Sequence, residues 1–171
     1  MTPTSSQVVA HLASVYGALY RVLGEAAPTL GDDAFVVRAH EMSRAFGALA
    51  LESREYVAPD EIEDHALVGA VLEQSVALDP GGALLLYAVA VVIGPRLLVS
   101  LRDARIELAT DAAVLQLIDH GADRVVAEIL AVRGVAARQA PIEDRAWQAS
   151  ARDLITTFDG AGYGESLGLG D

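Results

Sequence analysis

The stretch ALLLYAVAVVIGPRLLVSL, residues 83–101, decides how this chain is read. It carries no charge from Ala83 to Pro95 and then meets Arg96. A bilayer span needs about 20 predominantly apolar residues. Here Gly94-Pro95-Arg96 falls in the middle, so the stretch reads as the central buried helix of a soluble domain, with no membrane span. Proline lacks the amide donor and clashes one turn back, which predicts a kink or restart near Gly94-Pro95. Residues 89–93 are β-branched enough to suggest a strand, but they are continuous with the helical segment.

Outward from this stretch the apolar period is helical. Val8, Leu12, Val15, Leu19 and Val22 recur at steps of three and four, which predicts a first helix over 5–26, closed by Pro28 and Gly31. Asp32 or Asp33 caps a second helix running to about Tyr56. Asp60 and Glu63 form a capping-box-like pair before a third helix carrying Ile62, Val68, Val71 and Leu72. Asp79-Pro80-Gly81-Gly82 is a turn. Thr110 or Asp111 caps a fifth helix with Val114, Leu117, Ile118, Val125, Ile129 and Val132 on one side. Pro141 is placed for the first turn of a sixth, which carries Ile142 and Trp147 and stops at Asp159-Gly160. The expected fold is therefore all-α: one orthogonal or bundle-like domain of about six helices over 1–160, followed by a Gly-rich C-terminal tail over 161–171.

Composition narrows the chemistry. The 171 residues are 53% hydrophobic, too apolar for a disordered chain. The surplus predicts burial at a subunit interface, hence a homo-oligomer, or in a lipophilic groove. The chain has no cysteine, which excludes disulfides and thiolate chemistry and fits the cytoplasm. All 12 basic residues are arginine, so lysine Schiff-base and P-loop chemistry are excluded as well. The formal charge of −12 disfavours nucleic acid and anionic membrane surfaces.

Few motifs carry chemistry. His11, His40, His65 and His120 fall on different elements without ligand spacing, so they are weak metal candidates and no cofactor is expected. The acidic run 60–64 is explained by a helix start. Asp32-Asp33 lacks the further acids of a diphosphate-metal motif. Gly164-Glu165-Ser166-Leu167-Gly168 lies in the tail and is not preceded by a strand, so it is not a nucleophile elbow.

Arg96 is the sharper feature. A cation in the most apolar segment, one residue past a proline, needs compensation. It is expected to pair with an acid, from the 60–64 cluster or from another subunit. The alternative is that Arg96, with Arg102 and Arg105, anchors an anion beside an apolar pocket. In the tail, Tyr163, Leu167 and Leu169 are spaced as in docking peptides. Residues 166–170, Ser-Leu-Gly-Leu-Gly, resemble the short tails that target cargo proteins into encapsulin shells, without the long linker or second Ser-Leu unit often found there. That resemblance implies a protein partner for the tail; the bland reading docks it on its own domain. The function expected first is a non-catalytic assembly or accessory protein. A ligand-binding module comes second, and an encapsulin-type cargo or histidine-metal enzyme last.

Overall fold

The computed structural model describes residues 4–57, 62–139 and 144–168, the side chains of 136–139 apart. Among these residues there are six helices and no strand: α1 Ser5–Ala26, α2 Asp33–Ser53, α3 Ala66–Leu78, α4 Ala83–Glu107, α5 Ala112–Gln139 and α6 Arg145–Gly160.

Local chemistry sets most of the boundaries. Thr4 and Gln7 form a reciprocal capping box on α1, the Thr4 amide donating to Gln7 Oε1 at 2.8 Å. Pro28 turns the end of α1 into a short 3-10 turn. Asp32 caps α2, accepting from the amides of Ala34 and Phe35. Asp111 and Asp144 do the same for α5 and α6.

Two boundaries differ from expectation. α3 starts at Ala66, and His65 caps it by accepting the Val68 amide at Nδ1. Glu63 therefore precedes the helix, and Asp60 lies outside the described residues. The segment is diverted because the His65 amide donates to the Ser14 carbonyl of α1 and Asp64 reaches Arg21. α6 is described from Arg145; Pro141 and Ile142 lie outside the described residues.

α4 is the centre. Its most apolar 18-residue window is long enough to cross a membrane by length and composition, yet 72% of it is buried inside this domain. Leu84, Leu85, Leu86, Val92 and Ile93 are fully enclosed. Gly82 opens the helix at φ 105°, a region side chains avoid, and Asp79 accepts from the Gly81 and Leu84 amides beside it. Pro95 does not end the helix. Residues Ala88–Ile93 wind as a π-helix, and the Gly94 amide donates five residues back to Val89. Widening the turn in this way is how a helix absorbs an irregularity such as a missing amide donor.

The other helices close around this axis. α1 and α2 pack as an antiparallel hairpin, since Tyr16 meets Phe46 and Tyr20 meets Ser43 and Gly47. α5 runs along α4 and α2, and α3 and α6 pack against the first half of α4. Close approach is set by glycine: a Cβ on Gly94 would lie 2.8 Å from Ile129 Cδ1.

Candidate functional site

The cation in the apolar stretch is satisfied from within the chain. Arg96 Nε donates to the Tyr163 carbonyl at 2.7 Å and Nη1 to the Val92 carbonyl at 2.8 Å. Nη2 reaches Asp159 at 3.4 Å, and the guanidinium lies 5.4 Å from the Phe158 ring centre. The acid comes from the end of α6, not from residues 60–64. Arg102 pairs with Asp103 and Arg105 with Asp119, both at the surface, so the three arginines do not converge on one anion.

This arrangement also seats the tail. Tyr163 packs partly buried, and Leu167 is fully buried with its amide donating to Ser100 Oγ at 3.0 Å. Leu169 lies outside the described residues. Ser166 Oγ accepts from the Gly168 amide in an irregular segment, not on a strand-to-helix turn. The described part of the tail therefore docks on its own domain.

Two of the four histidines come together. The His11 and His65 rings meet edge to face at 5.7 Å, and His65 meets Tyr163 at 5.8 Å. Burial, with a smaller contribution from His65, pulls the His11 pKa down to about 4, and its Nε2 is buried without a hydrogen-bond partner among the described residues. Burial lowers the His65 pKa too. His120 pairs with Glu52 at 2.8 Å elsewhere, and His40 is exposed on α2. Among the described residues no group of three or more His, Cys, Asp or Glu could hold a metal ion.

Sequence reading missed a buried ion pair. Glu128 on α5 takes Arg38 Nη2 at 2.6 Å, with Arg124 at 3.6 Å, while Arg38 Nη1 pairs with Glu41. The signal was present: Glu128 sits among Val125, Ile129 and Val132, where an acid interrupts an apolar face. Arg38 and Glu128 border a cleft of about 560 Å³. A second cleft of about 630 Å³ adjoins it, and the two share Arg44 and Ala48.

The outer face of α5 was also missed. Asp119, Asp123, Val126, Leu130 and Arg133 recur at steps of four and three, so they form one stripe. All five are exposed, Leu130 at 61% and Val126 at 42%. Arg105 neutralises Asp119; Asp123 and Arg133 have no partner among the described residues.

Fold and surface together define an all-α helical bundle with a buried apolar axis, its open features lying on α2 and α5. No family model matches the chain, and no curated protein or solved structure matches it.

Proposed function

We propose that this is a non-catalytic helical assembly protein that pairs with a second copy across the outer face of α5. The order of charge along that face supports the reading: acid at 123, apolar at 126 and 130, base at 133. In an antiparallel register centred on residue 128, Val126 faces Leu130 of the second copy and Asp123 faces Arg133. A twofold interface needs such self-complementarity. A parallel register would stack Asp123 on Asp123 and is disfavoured.

The helix dipole does not explain the order. Its influence fades within the first and last turns, whereas α5 runs from Ala112 to Gln139, so Asp123 and Arg133 lie in the interior of the helix, beyond the reach of both ends. Two apolar side chains per copy are a small anchor, so the pairing belongs with the weaker, sub-standard interfaces.

Sedimentation equilibrium tests the reading. The wild-type chain associates reversibly at micromolar concentration. Leu130→Arg abolishes association, Arg133→Asp weakens it about tenfold, and Asp123→Arg combined with Arg133→Asp restores it. These positions are exposed, so circular dichroism and Tm stay close to wild type. A monomer at every concentration, or association indifferent to Leu130→Arg, overturns the proposal.

A further inference from the structure

The chain has 12 arginines and a formal charge of −12, yet its cations are not spread evenly. Five arginines line the two adjoining clefts between α1, α2 and α5, against three acids. Most of the five are committed: Arg21 to Asp64 and Glu73, Arg38 to Glu128 and Glu41, Arg124 to Glu128. Arg44 and Arg54 have no partner among the described residues. Arg44 borders both clefts, and Arg54 faces the second. Beside them Arg38 Nε is a buried donor without a partner among the described residues.

Beyond these cations and Asp64, whose charge Arg21 takes at 2.8 Å, the second cleft is lined by apolar side chains and glycines. Tyr20 lies across Gly47, where a Cβ would come within 2.6 Å of its ring, and remains 52% exposed. Leu51 is 68% exposed on the same cleft. A guanidinium matches carboxylate and phosphate oxygens two at a time and favours them most where water is partly excluded. Both cleft volumes fall in the range of small-molecule sites.

We infer that these clefts bind an amphiphilic anion: one carboxylate or phosphate head group held by Arg44, with Arg54 beside it, and an apolar body lying over Tyr20 and Leu51. The site is separate from the α5 seam and does not depend on pairing. Calorimetry on the full chain tests it with decanoate, decyl phosphate, inorganic phosphate and decanol as probes. At least one amphiphilic anion binds, weakening as salt rises; the tighter of the two identifies the head group. Decanol and inorganic phosphate each bind at least tenfold more weakly, because each lacks half of the recognition. Arg44→Ala lowers affinity at least tenfold while Arg152→Ala, on the exposed side of α6, leaves it unchanged. Since Arg44 is exposed and has no partner among the described residues, its replacement leaves folding intact. Binding of neither anion, equal binding of decanol, or binding unchanged in Arg44→Ala overturns the inference.

Discussion

His11 is partly buried next to His65, its Nε2 enclosed without a hydrogen-bond partner among the described residues, and that has a direct consequence for pH. Its pKa falls from the ordinary 6.5 to about 4 in the fold. Between these values the unfolded chain binds the proton and the folded one does not. Stability is therefore complete above pH 6.5 and declines as pH falls toward 4, by an amount of order 2–3 kcal/mol. His65 acts in the same direction. Thermal melts of wild type and His11→Leu between pH 7 and 4.5 check this: the variant loses less Tm across the window. Equal slopes would remove His11 as the cause. Arg96 sets the other expectation at this scale. In Arg96→Met the carbonyls of Val92 and Tyr163 lose a charged donor, which costs about 2–4 kcal/mol. Asp159 is half exposed and water can take its charge, which holds the loss to that range. Hydrogen exchange at Leu167 should quicken beyond the global change, because Arg96 seats the tail that Leu167 anchors. The need for compensation at Arg96 was legible in the sequence. Its partner was not, because Asp159 lies 63 residues away and only the packing of α6 on α4 brings it near.

At the scale of elements, helix type and most ends were legible because they rest on local rules: Asp32 at the start of α2, Asp111 at the start of α5. α3 was misplaced because its start is fixed by a non-local bond from His65 to Ser14. The proline predicted an irregularity near Gly94-Pro95, and the helix carries a π-helical stretch over Ala88–Ile93 just before it. Its form, a π-turn running into a glycine, depends on Ile129 of α5 occupying the space a side chain would need. Gly94→Ala puts a methyl group within 2.7 Å of the Val89 carbonyl oxygen and 2.8 Å of Ile129. Overpacking of this kind costs about 1–3 kcal/mol, despite the better helix propensity of alanine. Urea unfolding measures it, and a stabilised variant would contradict the close approach.

For the whole molecule, the apolar surplus of the sequence was first assigned to an interface. Much of it is absorbed in one continuous core to which α1 and α4 contribute the most buried apolar side chains, so surplus hydrophobicity alone no longer argues for assembly. The proposal of assembly now stands on charge order along α5. That order was in the sequence but invisible there, since only the fold tells which stripe of a long helix faces water. The Arg38–Glu128 pair was hidden for the same reason, with 90 residues between its partners. The absence of cysteine makes one measurement decisive. Asp123→Cys and Arg133→Cys chains are prepared separately, mixed and oxidised. In the antiparallel register these two positions face one another, whereas identical positions lie ten residues apart along the helix, about 15 Å. Antiparallel pairing across α5 gives a disulfide-linked dimer in the mixture and little in either variant alone. Equal cross-linking of each variant with itself, or none in the mixture, would contradict it.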